Sequence, residues 1–217
     1  MDKSTLLFAI ITFASFAAIV VVATLRAVRK SDGRRKDAAV FSLLLDAREE
    51  EKAAEFIKKA DFPLAFDIVI QHLGTERENY IIVAREDAER ADRAIRDFWP
   101  QSPISLSGDY LIFHHGGFYD AFRTSIPEHE FGGHDISAVD LSRVDELGEG
   151  ALVRFFRDPN EKNSDIKILG LFSAPSQYQL REMEDIATMS FKGRKIYTPK
   201  NKEEVFRAFG SADEIAR

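Results

Sequence analysis

The longest apolar run in the chain is Thr5–Leu25, which holds 21 residues without a charged side chain. At a rise of about 1.5 Å per residue, a helix of this length crosses a hydrocarbon core of roughly 30 Å. Six Lys or Arg follow the run before residue 37, and such residues favour the cytoplasmic side. The pattern predicts an extracytoplasmic tail over residues 1–4, a transmembrane helix over 5–25 and a basic juxtamembrane linker over 26–38.

A cleaved signal peptide is the alternative interpretation of the same run. Its apolar region usually has about 7–15 residues and follows several basic residues. Here only Lys3 precedes the run, and Arg26 follows it immediately. The uncleaved anchor is therefore favoured. We expect a single-pass protein of the cell membrane, in contact with the lipid bilayer, with its N-terminus outside and its body in the cytoplasm.

Residues 39–115 show alternating strand and helix periodicities. Asp46 and Glu49 have the spacing of a capping box, which predicts the start of a helix. The pattern predicts a strand, a helix, two strands, a helix and a strand over residues 39–46, 47–60, 65–72, 80–84, 86–98 and 104–115. This order is the ferredoxin-like βαββαβ unit, so we predict a first α+β domain over residues 39–115.

Residues 116–133 contain four Gly, one Pro and no clean period, a composition typical of a linker. Beyond this Gly-rich linker, strands and helices are predicted again over residues 134–141, 142–147, 151–158, 166–173, 176–190, 194–199 and 201–209. These elements define a second α+β domain over 134–217. The predicted fold class is therefore α+β: one N-terminal transmembrane helix followed by two small ferredoxin-like units.

Composition narrows the function classes. The sequence has no Cys, which excludes disulfides, thiolate metal sites and Cys nucleophiles and is typical of a reducing compartment. The formal net charge is −6, but residues 1–36 hold seven Lys or Arg against two Asp, so the remaining body is acidic. An acidic body lacks the basic face that phosphate backbones require, and no nucleic-acid partner is expected.

The sequence from His129 to His134 is close to the zinc motif HExxH. That motif places two His four residues apart on one helical face. Here the two His are five apart, about 140° around a helix, and two Gly lie between them. A loop site that uses His114, His115, His129 and His134 stays open as an alternative, and the sequence does not decide whether these four meet.

Further catalytic signatures are missing from the sequence. Acidic pairs such as Glu184 and Asp185 are predicted on the solvent faces of helices, whereas acid–base catalysis needs a buried pair with separated pKa values. Tyr80, Phe155 and Phe156 on predicted strands are interpreted as core packing. Neither a nucleophile elbow nor a Gly-rich nucleotide loop occurs. We therefore assign no catalytic, cofactor-binding or metal residue and expect no cofactor.

Residues 39–160 carry a resemblance in the order of their elements. The helix AAEFI is followed by strands FDIVI and YIIVA, and DLSRVDEL leads through GEGA into a strand that ends in Arg-Asp-Pro. This stretch resembles the membrane-anchored N-terminal region of uncharacterised proteins associated with type IV secretion-like, conjugation-type ATPases. The ATP-binding motif GxxxxGK[ST] does not occur here, so the resemblance implies an assembly role without motor activity.

Two functional hypotheses follow from the sequence. The first is a membrane-tethered cytoplasmic scaffold or assembly protein, which has no enzymatic activity and binds protein partners within a membrane complex. The alternative is a membrane-anchored, metal-dependent hydrolase that uses the His-rich linker. No oligomeric state is predicted.

Overall fold

The structure is a computed structural model that describes residues 38–70, 77–106, 118–132, 141–161, 165–191 and 196–197. The chain divides into two compact units, residues 1–36 and 37–217, and every described residue belongs to the second unit.

Strands dominate the described residues. The strands are β1 (Ala38–Leu43), β2 (Leu64–Ile70), β3 (Arg77–Ala84), β4 (Ile104–Leu106), β5 (Phe118–Pro127), β6 (Ala151–Arg157), β7 (Asp165–Ala174) and β8 (Ile196–Tyr197). The α-helices are α1 (Ala47–Glu51), α2 (Ala53–Lys59), α3 (Ala88–Phe98) and α4 (Gln177–Ser190). Short 3-10 helices cover Arg85–Asp87, Glu128–Glu130 and Leu141–Leu147. The elements predicted over 39–60, 86–98, 151–158 and 176–190 are confirmed to within a few residues.

Two helices begin where their capping residues predict. The side chain of Asp46 accepts a hydrogen bond from the Glu49 amide at 2.9 Å, and the Glu49 carboxylate accepts one from the Asp46 amide at 3.1 Å. At α4, the Ser176 hydroxyl accepts from the Gln179 amide at 3.2 Å. These bonds satisfy backbone N–H groups that have no partner within the helix.

All eight of the described strands belong to one antiparallel sheet with the order β4-β1-β3-β2-β6-β7-β5-β8. The predicted hairpins β2–β3 and β6–β7 are confirmed. Each half of the sheet has the same order when it is counted from its own outer edge: β4-β1-β3-β2 and β8-β5-β7-β6. The two halves meet where β2 pairs with β6, with Phe66 opposite Phe155.

The fold class predicted from the sequence needs correction. One eight-stranded antiparallel sheet takes the place of two separate ferredoxin-like units, because β2 and β6 join strands from residues 39–115 and 134–217. Of the helices described, none has the length and apolar character needed to cross a membrane, and the longest has 14 residues. The predicted transmembrane helix over 5–25 lies outside the described residues. The described residues themselves form a sheet-rich fold.

The predicted Gly-rich linker over residues 116–133 is also wrong. Ten of its residues form β5, which pairs with β7 along its whole length. Ala121 and Phe122 are buried on opposite faces of the sheet. The glycines lie at the two ends of this segment. Between them, successive side chains of β5 point to opposite faces of the sheet. The strand predicted over 134–141 and the last helix, over 201–209, lie outside the described residues.

The sheet is buried on both faces. One face carries the larger core, in which Phe66, Phe155 and Phe172 pack together with residues of α2, α3 and α4. On the other face, Ala65, Tyr80, Ile82, Ala121, Leu152 and Leu171 form a second, smaller core. Successive side chains of a strand point to opposite faces, so each central strand contributes to both cores.

Candidate functional site

A cavity of about 490 Å³ lies where β5 ends and β7 begins. It is lined by Lys58, Pro127, Glu128, His129 and Asp165. Lys58 comes from the last turn of α2, and Pro127 stands opposite Asp165 in the β5–β7 register. The cavity is shallow and largely open to solvent. The lining brings one ammonium, one imidazole and two carboxyl groups to a single cavity.

The segment that follows β5 is fixed against α2. The ammonium of Lys58 donates a hydrogen bond to the carbonyl oxygen of Phe131 at 3.0 Å. Gly132 has a φ of +61°, and a Cβ added there would lie 2.3 Å from the Cβ of Ala54. Glycine is the residue that tolerates both this backbone conformation and so close an approach. The wall formed by residues 128–132 is therefore held against α2 at its C-terminal end.

Arg157 holds the opposite side of the same wall. Its guanidinium donates to the carbonyl oxygen of Ala60 at 2.6 Å and pairs with the Glu128 carboxylate at 3.3 Å. Asp165 accepts a longer hydrogen bond, 3.4 Å, from the Ser125 hydroxyl. Of the two carboxylates in the lining, Glu128 is thus neutralised by an arginine, whereas Asp165 is met by a neutral hydroxyl.

Of the four histidines considered as a loop site, only His129 lies within the described residues. His129 is exposed and lines the cavity beside Glu128. His114, His115 and His134 lie outside the described residues. Across the described parts of the chain, no three His, Asp or Glu side chains come together in a way that could hold a metal ion. The His129 imidazole is instead brought together with Lys58 and two carboxyl groups.

A second polar feature joins α4 to β5. Glu184 on α4 forms a hydrogen bond with the buried carboxyl group of Asp120 on β5, and this bond is the largest of the causes that together raise the pKa of Glu184 to about 7. Partial burial and the negative charges of Asp120 and Asp185 contribute to the same shift, while Arg181 opposes it. Asp120 also accepts a bond from the amide of Ala121 at 2.7 Å. The Glu184 carboxyl group therefore holds its proton up to near neutral pH.

The interpretation of Glu184 as a solvent-face residue was wrong, because its side chain reaches β5. The spacing along the helix indicated that Glu184 lies near its buried side. Glu184 lies four residues after Leu180 and three before Ala187, both of which are buried. Residues at these spacings share one side of a helix. Its partner Asp120 fell within the predicted linker, so the sequence offered no strand to place opposite it.

The aromatic residues interpreted from the sequence as core packing belong largely to the two cores. Tyr80 and Phe155 are buried, which confirms the core interpretation for both. Burial and a 2.5 Å hydrogen bond to Glu78 raise the pKa of the Tyr80 hydroxyl well above its usual range. Phe156 is half-buried, with the Lys167 ammonium 5.4 Å from the centre of its ring.

The edge strand β4 is the third feature of interest. Among the described strands it pairs with β1 alone. Its sequence, Ile104-Ser105-Leu106, has no charge, and Leu106 is 73% exposed. Leu44, which is 68% exposed, stands beside the other end of β4, where its amide donates to the Pro103 carbonyl oxygen. Edge strands are usually protected from pairing by charges, prolines or bulges, and β4 itself carries no charge.

The comparisons with known proteins give little guidance. No family model and no curated protein matches the chain. Among solved structures, it is similar to one named "Putative Chlorite dismutase TA0507", with 12% sequence identity and a TM-score of 0.26. The match covers 76% of this chain and 92% of the other. A TM-score this low supports no conclusion about the fold or function of this chain.

Proposed function

We propose that this protein is a non-enzymatic assembly protein that pairs with a second copy of itself along the edge strand β4. The observation that carries the proposal is the uncharged outer edge of β4, with Leu106 73% exposed. An unpaired edge presents backbone N–H and C=O groups to any strand that can align with it.

A two-fold axis through Ser105 suits the residues of β4. In an antiparallel pair centred on Ser105, Leu106 of one copy lies opposite Ile104 of the other. Ile104 packs against the larger core, so Leu106 of the second copy would extend that core across the axis. The same patch then serves both copies, as in most homodimers. Because β4 has only three residues, we expect a weak dimer whose population depends on protein concentration.

The absence of charge on β4 matters because the chain as a whole is negatively charged. Two copies of a chain with net charge −6 repel each other. The three residues of β4 add no charge to that repulsion. We place this assembly in the cytoplasm, because a chain without Cys suits a reducing compartment. The resemblance to proteins associated with conjugation-type ATPases supports an assembly role as well.

A cysteine cross-link tests the proposal directly, because the chain has no Cys of its own. Directly opposite residues of antiparallel strands have Cβ atoms roughly 4.5–5.5 Å apart, close to disulfide geometry. Under mild oxidation, the purified full chain with Ser105→Cys should form a covalent dimer. Gln177→Cys, at an exposed position on α4, is the control. Equal cross-linking of both variants would contradict pairing at β4.

Sedimentation velocity over a range of protein concentrations provides the second test. The unmodified chain should dimerise with rising concentration, and Leu106→Lys should shift it to the monomer. Met189→Lys is the matched control, since Met189 is also 73% exposed but lies on α4. A chain that stays monomeric throughout, or a dimer that Leu106→Lys leaves unchanged, would overturn the proposal.

The metal-dependent hydrolase that uses the His-rich linker is the second candidate: His129 lines a cavity with Glu128 and Asp165, although within the described residues these three do not form a metal-ligand group. We propose elemental analysis of the purified chain together with the variant His129→Ala, His134→Ala. Stoichiometric zinc or manganese that disappears in the variant would favour the hydrolase. Metal-free protein with an unchanged circular dichroism spectrum would reject it.

A further inference from the structure

We infer that the cavity between β5, β7 and α2 binds a small zwitterion, a molecule that carries both an ammonium and a carboxylate group, such as a free amino acid or a dipeptide. The inference is independent of self-assembly through β4. It rests on the arrangement of charge around the cavity and on the fixed position of the cavity walls.

Charges of opposite sign reach the cavity from different elements. Lys58 comes from α2, and Asp165 opens β7. Within the described residues, Lys58 bonds to the carbonyl oxygen of Phe131 and Asp165 to the hydroxyl of Ser125, rather than to each other. A lysine ammonium has three N–H donors and a carboxylate has several acceptor positions. Both groups therefore keep capacity for a ligand.

The other polar groups of the lining also favour a ligand that carries both charges. Glu128 is occupied by its ion pair with Arg157, so Asp165 is the carboxylate that remains to meet a ligand cation. Lys58 is the corresponding partner for a ligand anion, with the His129 imidazole beside it. Hydrogen bonds between ionised groups are roughly twice as strong as neutral ones. A ligand with both charges satisfies both ends, whereas a simple amine or acid satisfies one.

The walls do not need to form when the ligand arrives. Lys58, Ala54 and Arg157 fix the segment after β5 through three separate contacts, with Phe131, Gly132 and Glu128 respectively. A preformed site avoids the entropy loss of ordering its walls upon binding. Pro127 supplies the apolar part of the lining, and its ring restricts the backbone at the end of β5.

Three matched probes test the charge requirement on the full chain by isothermal titration calorimetry. Norvaline carries both charges, butylamine only the ammonium, and pentanoate only the carboxylate. Dialanine provides a longer zwitterion. We expect saturable binding of norvaline or dialanine, with at least tenfold weaker binding of butylamine and pentanoate. The inference fails if neither zwitterion binds, or if an amine or acid alone binds as tightly.

Variants then locate the binding. Lys58→Gln keeps a donor for the Phe131 carbonyl but removes the charge, and Asp165→Asn removes the opposite charge. Each should weaken zwitterion binding at least tenfold. Lys59→Gln is the matched control, because Lys59 lies on the same turn of α2 but is exposed and paired with Glu55. Equal losses in Lys58→Gln and Lys59→Gln would place the ligand elsewhere and overturn the inference.

Two further measurements keep the outcomes separate. Circular dichroism and thermal unfolding of each variant show whether weaker binding reflects a damaged fold. Leu106→Lys, which tests self-assembly, should bind the zwitterion as tightly as the unmodified chain. Failure of one proposal is thus distinguishable from failure of the other, and loss of zwitterion binding in Leu106→Lys would count against a site within one chain.

Discussion

Asp67 and Arg154 form a buried, two-pronged ion pair across the junction of β2 and β6. Nε and one terminal nitrogen of Arg154 each donate to a different carboxylate oxygen of Asp67, both at 2.8 Å. The two residues stand directly opposite each other in the strand register. A buried ion pair between the halves of the sheet therefore lies in the middle of their only shared strand pair among the described strands.

Removing one partner of this pair should destabilise the protein strongly. Arg154→Met leaves a buried carboxylate without its partner guanidinium, and we expect a loss of about 3–5 kcal/mol in the free energy of unfolding. Urea denaturation measures this loss. Arg96→Met is the control, because Arg96 pairs with Asp92 on the exposed side of α3, and exposed pairs contribute little to stability.

The double variant Asp67→Leu, Arg154→Met distinguishes ionic pairing from overall packing. Buried ion pairs replaced by apolar residues are often neutral or even stabilising. We expect the double variant to be more stable than Arg154→Met alone. The single variants Asp67→Leu and Arg154→Met are measured as well. If the stability lost in the double variant equals the sum of their two losses, the ion pair is not the reason for the destabilisation.

Glu184 should make stability depend on pH near neutrality. Its pKa of about 7 in the folded chain exceeds the value of about 4.3 for an unfolded chain. The folded state therefore holds the proton more tightly, and the stability this provides is complete below about pH 4.3 and is lost as the pH rises through about 7. Because Glu184 is partly exposed, we expect a loss of roughly 1–2 kcal/mol.

Glu184→Gln isolates this contribution. The amide keeps a donor for Asp120 and does not titrate, so the variant should lose less stability than the unmodified chain between pH 5 and 8. Urea denaturation at several pH values gives the comparison. Glu182→Gln, at an exposed position on the same helix, is the control. Parallel pH curves for the unmodified chain and Glu184→Gln would contradict the assignment.

Gly170 should tolerate no side chain. A Cβ added there would lie 1.7 Å from a ring carbon of Phe122, which stands opposite it on β5. Phe122 is buried and stacks against Phe172 at 5.4 Å between ring centres, so its ring has little room to move. Overpacking of this kind typically costs about 1–3 kcal/mol, and we expect a loss of at least that size for Gly170→Ala in urea denaturation.

A second substitution tests the cause of that loss. Phe122→Leu removes the ring atoms that meet the new Cβ, so Gly170→Ala should be less harmful in a Phe122→Leu background than in the unmodified chain. Coupled effects between residues in contact reach about 0.5–3 kcal/mol. Strictly additive losses would mean that the ring of Phe122 is not what excludes a side chain at Gly170.

The local elements were predictable because their signals are local. Asp46 and Ser176 mark helix starts through bonds to residues three positions away. The hairpins β2–β3 and β6–β7 join strands that follow one another in sequence, and alternation alone identifies such strands. Sequence spacing was therefore enough to place these elements without knowledge of the sheet.

The joining of the two halves was not predictable from such signals. Asp67 and Arg154 are 87 residues apart, and no pattern in one sequence indicates which distant strands will pair. The alternation of β5 was concealed by the glycines that flank it. Because β5 was not predicted, the Asp120–Glu184 contact could not be predicted either. Glu184 was therefore placed on the solvent face of α4. The Lys58 side of the cavity likewise depends on a contact 73 residues away, with Phe131.

The position of Asp67 has a consequence for synthesis on the ribosome. Strands β1 to β4 are complete by residue 106, but β6 begins only at Ala151, which is several seconds later at about 5–20 residues per second. During that interval the outer edge of β2 awaits its partner. A charge pointing inward from an edge strand discourages foreign strands from adding to it. Asp67 would therefore prevent foreign strands from pairing with the exposed edge of β2 until Arg154 emerges and neutralises the carboxylate. Ribosome-bound chains arrested near residue 140 should then aggregate more readily with Asp67→Leu than without it.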